Sequence, residues 1–196
     1  HFGNALDGGG VDFTLTPVDG HSKTSVTEIS NMDSGTPITY QELLEFDGHL
    51  NIQAGGEPGI MVAQADIGKN ALTGKFAQYT LQQADVECAN GLLTIQERES
   101  GFSLVTVEIE GGTPGKQHPV SLNLGSIYQQ SGIAGKLNPV DGTLGVSRTN
   151  LERLDGELIA PYDAIVTFKG FVRVHMGQGA EMSTVIAQGN IAYVGN

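Results

Sequence analysis

Apolar and polar residues alternate along much of this chain, and the alternation predicts strands. Over 43–54, Leu44, Phe46, Gly48, Leu50, Ile52 and Ala54 fall on one face of an extended segment, leaving Glu45, Asp47, His49, Asn51 and Gln53 on the other. A Gly-Gly-Glu-Pro-Gly break at 55–59 follows, and 60–67 is predicted to return as the hairpin partner. Earlier, Val11, Phe13 and Leu15 alternate with Asp12, Thr14 and Thr16, which predicts a strand over 11–17; 25–29 reads as another.

The pattern then recurs. Pro17-Val18-Asp19-Gly20 reappears as Pro139-Val140-Asp141-Gly142, and at that fixed offset of 122 residues 1–54 run against 123–176 without a gap. Outside the turn the identities are Gly3/Gly125, Gly10/Gly132, Leu15/Leu137, Ser25/Ser147, Thr27/Thr149, Asp33/Asp155, Tyr40/Tyr162, Phe46/Phe168 and Gly48/Gly170. Chance would supply roughly three or four, so an internal duplication is expected. Over 166–176 the alternation returns, with Val166, Phe168, Gly170, Val172, Val174 and Met176 on one face. A Gly-rich loop two residues longer leads to a predicted partner at 184–191, where Ala187-Gln188 matches Ala63-Gln64. A one-residue slip would invert each face, so the agreement also sets the register.

The stretch 75–122 has no counterpart. Within it 92–97 and 102–110 read as a hairpin around Glu99-Ser100-Gly101, while 76–86 suits a helix or a strand equally. Residues 111–119 are expected to form a loop, 120–124 to begin the second copy, and 128–130 to add a helical turn. The expected fold is mainly β: a β-sandwich or barrel of two duplicated halves related by an approximate two-fold, with a central inserted hairpin. The segments are a first repeat at 1–74, the insertion at 75–122 and a second repeat at 123–196, packed as one unit.

Composition narrows the function classes. The chain has 196 residues, 28 of them Gly, which favours short strands joined by tight turns. Twenty-two acids against ten basic residues give a formal charge of −12, so there is no basic stripe for nucleic acid or anionic lipid. No apolar run approaches the roughly 20 residues of a membrane-spanning helix, and no membrane insertion is expected. Cys88 stands alone, which rules out an intrachain disulfide, and is expected to be buried. The chain begins at His1, from which removal of a secretory leader is expected, and both termini are expected to be tied down.

The candidate chemistry is sparse. An N-terminal His offers its α-amino and imidazole nitrogens to one metal, and a second His completes a three-nitrogen copper site. In this one residue, His1, the chain resembles the mature N-termini of lytic polysaccharide monooxygenases and of some periplasmic copper carriers; the resemblance implies copper. The partner would be His49 or His175, both expected on outward strand faces, or His21 beside the turn. Asp19 and Asp141, with Asp7 and Asp12, are candidate calcium ligands, but the simpler reading has each aspartate closing its own turn. Glu97, Glu99, Glu108 and Glu110 on the central hairpin are a conceivable pair of glycosidase carboxylates, and more simply a charged edge that blocks unwanted pairing. No G-x-S-x-G elbow occurs, and Gly8-Gly9-Gly10 precedes a strand instead of a phosphate-binding helix.

These readings point to a non-enzymatic structural subunit, secreted, at a cell surface or in a virion. It is expected to assemble with copies of itself into a filament, tube or shell, with 1–16 as the exchanged strand. The alternatives are a secreted or periplasmic copper protein using His1, with oxidase or monooxygenase activity as its enzymatic form, and a carbohydrate-binding β-sandwich. The last needs an exposed aromatic platform, for which Phe171 and a few tyrosines are the candidates.

Overall fold

In a computed structural model of the chain, which describes residues 1–55 and 59–192, strands make up 47% and helices 8%. The chain divides into two compact units, one of residues 1–72 and one from 73 onward. The break expected at 55–59 and the expected anchoring of the C-terminus fall partly outside the described residues.

The first unit holds a short helix, α1 (Tyr40–Leu44), and a two-stranded antiparallel sheet of β1 (Asp47–Gln53) and β2 (Met61–Gly68). The pairing runs from Asp47↔Gly68 to Gln53↔Met61, with a register shift at Ile52/Gln53. The strand predicted over 43–54 thus starts four residues late. A capping box explains this: the Thr39 hydroxyl accepts from the Glu42 N–H, and the Glu42 carboxylate accepts from the Thr39 N–H. That cap wins over the alternation at 40–44. Residues 11–17 and 25–29 belong to no strand. They are held by side chains: Thr14 N–H and hydroxyl to Asp33, Thr16 N–H to the Thr27 hydroxyl, and the Ser25 hydroxyl to the Thr16 carbonyl.

The second unit is a closed antiparallel barrel. Its strands are β3 (Leu72–Gln83), β4 (Gly91–Arg98), β5 (Ser103–Ile109), β6 (Gln117–Ser126), β7 (Gln129–Asp141), β8 (Val146–Leu151), β9 (Gly170–His175) and β10 (Val185–Ile191). Their order around the barrel is β10-β3-β4-β5-β8-β7-β6-β9. A second helix, α2 (Tyr162–Val166), precedes β9, and a 3-10 turn, Gly179–Ser183, precedes β10. The hairpin predicted around 99–101 is β4–β5, paired from Gly91↔Ile109 to Glu97↔Ser103, with Gly101 at φ 80° in its turn. The ambiguous 76–86 is strand as far as Gln83, and at 128–130, where a helical turn is expected, a tight turn at Tyr128 leads into β7 at Gln129. Strict alternation explains the closure: Ser103, Val105, Val107 and Ile109 are buried on β5, Leu93 and Ile95 on β4.

The local bonding of the first unit recurs in the second at the same spacing of 122. Gly3 N–H donates to the Asp47 carbonyl, and Gly125 N–H to that of Lys169. Met32 pairs with Thr36 as Leu154 does with Leu158, and Ile38 donates to Ser30 as Ala160 does to Glu152. Asp33 N–H reaches the Asp12 carbonyl; Asp155 N–H reaches that of Ala134. The two isolated bridges Asn31↔Pro37 and Arg153↔Ile159 also match. Even the unusual backbone agrees: Lys23 and Gly145 have φ of 58° and 72°, Gly35 and Glu157 86° and 65°. Helix α1 and helix α2 cover equivalent residues throughout.

Candidate functional site

Where the bonds match, the burial does not. In the second unit the side of β10 that meets the core is sealed: Ile186 is 1% exposed, while Val62, its match on β2, is 64% exposed. Val140 is 0% exposed and Val18 42%. The same residue differs most between Tyr162, 3% exposed at the start of α2, and Tyr40, 76% exposed at the start of α1. Ser147 is buried and Ser25 exposed; Ala187 is buried and Ala63 exposed. Several apolar positions that are interior in the second unit are therefore exposed at the matching places of the first.

The groups that cover these positions in the second unit come from 73–122. Tyr162 N–H donates to the Gly101 carbonyl at 2.8 Å, and Lys75 Nζ lies 4.6 Å over the Tyr162 ring. The Tyr79 hydroxyl on β3 donates to the Val166 carbonyl at the end of α2, at 2.7 Å. Strand β5 pairs with β8 from Ser103↔Leu151 to Glu108↔Val146, and β6 pairs with β9 from Val120↔Val174 to Leu124↔Gly170. The stretch 75–122, expected as an inserted hairpin, supplies most of barrel strands β3, β4, β5 and β6. Its alternating Leu93, Ile95, Val105 and Val107 were the available signal that it belongs to a core.

No protein-family model, curated protein or solved structure matches this chain.

The histidines are not placed as expected. His49 and His175 are buried instead of outward, because each ring finds main-chain or side-chain partners inside. His49 Nδ1 is 2.8 Å from the Gly3 carbonyl, and its Nε2 is 3.2 Å from Asn51 Nδ2. His175 Nδ1 is 2.8 Å from the Met182 carbonyl, and its Nε2 2.9 Å from the Ser121 hydroxyl. Strand β9 is buried on both faces, partly by the 3-10 turn that carries Met182, so alternation there does not mean one wet side. The structure does bring His1 to His49: the rings stack with centroids 5.0 Å apart, and the His1 amine donates to the His49 carbonyl. His1 Nδ1 lies 3.1 Å from the Gly9 carbonyl. His175 lies in the other unit. Among the described residues no group of three or more His, Cys, Asp or Glu side chains is arranged around one point.

The remaining candidates fall into structural places. Asp19 accepts from the His21 and Ser22 N–H groups, and Asp141 from those of Thr143 and Leu144, so each closes its own turn. Those bonds hold both carboxyls below the usual carboxylate range. Glu97 is bonded to Thr73 and to Lys75, and Lys75 also reaches Asp163. Cys88, expected buried, is exposed in a left-handed turn residue at φ 60°, with its N–H on the Gln83 side chain. Phe171, expected as part of an aromatic platform, is fully buried beneath Arg173. Among the described residues no helix is long and apolar enough to cross a membrane.

Proposed function

We propose that this protein is a non-enzymatic structural module, built by duplication of one β unit, that joins its neighbours in an assembly by accepting β-strands on its first unit. One observation carries the reading: apolar positions that the second unit buries are exposed at matching places in the first. The repeated bonds at a spacing of 122 support the duplication. A sheet with an open edge and an apolar face takes its affinity from main-chain hydrogen bonds and its specificity from the side chains that fill the face. Filaments, tubes and shells are the forms that result when such contacts run head to tail.

The expected exchange of 1–16 takes a different shape here. His49 N–H donates to the His1 carbonyl, Phe2 bridges Gly48, and Ala5 N–H donates to Asp66, so this end is engaged within its own unit. The receiving surface is instead the outer side of β2 together with residues 11–29. The test is a Val62→Cys chain in a Cys88→Ser background, carried into the protein's native assembly and treated with a short thiol-to-amine crosslinker. Links from residue 62 to a second polypeptide are expected. A residue 62 that reacts only with its own chain contradicts the proposal.

A further inference from the structure

The barrel is closed, so a ligand on its outer wall meets side chains and no free strand edge. Alternation decides which side chains those are. Leu93 and Ile95 of β4, Val105 and Val107 of β5, and Ser147 and Thr149 of β8 are buried. Between them Thr94, Thr106 and Arg148 stand on the outer face in one row, paired Thr94↔Thr106 and Thr106↔Arg148. Gln96 and Glu108 lie two residues further along β4 and β5, and β3 adds Phe76 and Gln78. Gln78 Nε2 donates to the Thr94 hydroxyl at 3.2 Å. These side chains line a cavity of about 320 Å³. A second cavity, of about 310 Å³, shares Glu108 with it and continues along β4 and β5 to Asn90, Leu92 and Glu110.

We propose that this groove binds a neutral oligosaccharide. Its charges are the first reason. Lys75, Lys116 and Arg153 of the same unit are each paired with a carboxylate. Glu108 and Arg148 face one cavity, yet among the described residues neither side chain has an ion-pair or hydrogen-bond partner. A ligand in the groove must therefore accept from a guanidinium and donate to a carboxylate, within reach of the Gln96 amide and two threonine hydroxyls. A hydroxyl group does both, and a row of them meets each partner in turn. The second reason is Phe76, which is 60% exposed among these polar neighbours. The face of its ring is electron-rich and suits the C–H face of a sugar ring, whose hydroxyls project from the rim.

Other ligand classes fit less well. An anion brings its charge to Glu108 and Glu110 on a chain of formal charge −12. An extended peptide takes its main-chain affinity from an open sheet edge, which a closed barrel lacks. Each cavity stands at the lower end of the small-molecule range, roughly 300–1,000 Å³, so the pair suits several linked rings better than one. The groove lies wholly in the second unit and is independent of strand addition on the first.

The experiment follows backbone and glutamine side-chain NMR signals of the full chain during titration with cellohexaose, maltohexaose, mannohexaose and chitohexaose. At least one of these is expected to shift the signals of Phe76, Gln78, Thr94, Gln96, Thr106 and Arg148. It should bind at least about tenfold more tightly than its own monosaccharide. Phe76→Ala and Glu108→Gln, both at exposed positions, are expected to weaken binding by about tenfold each, with signals of the buried core unchanged. No shift at these residues with any of the four, up to the solubility limit, overturns the proposal. Affinity unaltered by Phe76→Ala overturns it as well. Shifts produced by an oligogalacturonate alone, and abolished by Arg148→Gln, overturn it in favour of an anionic ligand.

Discussion

Phe46 and Phe168 each lay their ring across the glycine two residues on, so that a Cβ at Gly48 or Gly170 would collide with the ring. At Gly170 it would also meet the Asn123 carbonyl of the paired strand. Phe-x-Gly at 46–48 and 168–170 thus has the same steric ground, and it yields a prediction: Gly170→Ala should destabilise the second unit by about 1–3 kcal/mol in denaturant unfolding. Combined with Phe168→Leu, the loss should be smaller than the sum of the two single changes. His175 supplies a second prediction. Burial holds its imidazole below the ordinary value of 6.5; the nearby Arg173 charge acts the same way, and the Met182 carbonyl opposes them. The unfolded chain then takes up this proton first as pH falls. The stability tied to His175 is full above about pH 6.5 and declines below it, until the folded imidazole also protonates. Melting temperatures measured from about pH 7.5 to 5 should fall less steeply for His175→Gln than for the unaltered chain.

At the scale of elements, the barrel seams are unequal. Strands β4 and β5 pair over seven positions from Gly91↔Ile109 to Glu97↔Ser103. By contrast, β10 meets β3 at Ala187↔Gln83 and Gln188↔Gln82, extended by the Ala84 and Asp85 N–H bonds to Ile186 and Val185. Fewer ladder bonds mean easier local opening. Amide exchange is expected to appear at the β3–β10 seam before the β4–β5 hairpin; the reverse order would put the weak seam elsewhere. The elements also show how much the residues disclosed beforehand. The hairpins β1–β2, β4–β5 and β9–β10 were legible because period-two alternation was bounded by Gly-rich breaks. The helix at 40–44 was hidden because Leu44 and Phe46 fit the strand face, and only Thr39 with Glu42 marked the cap. The burial of His49 and His175 could not be read, since it depends on carbonyls of distant residues.

For the whole molecule, the recurrence of residues at fixed offset was legible in the sequence, but the unequal burial of the matching positions was not. Nothing in the identities between 1–54 and 123–176 tells which copy is covered; that follows from 73–122 lying in one unit only. Two units with the same frame and different cover should differ in stability, because apolar area left in water contributes nothing to folding. Brief digestion by a nonspecific protease is expected to cut first within 11–38, leaving a resistant fragment that begins near residue 73. The most direct test compares matched amides in one sample by native-state hydrogen exchange: 50–52 and 61–64 against 172–174 and 185–188. Exchange at the first-unit positions is expected to be faster by about two orders of magnitude or more, despite the shared local bonds. Equal protection at the two sets would mean that the first unit already has its cover, and would contradict the account.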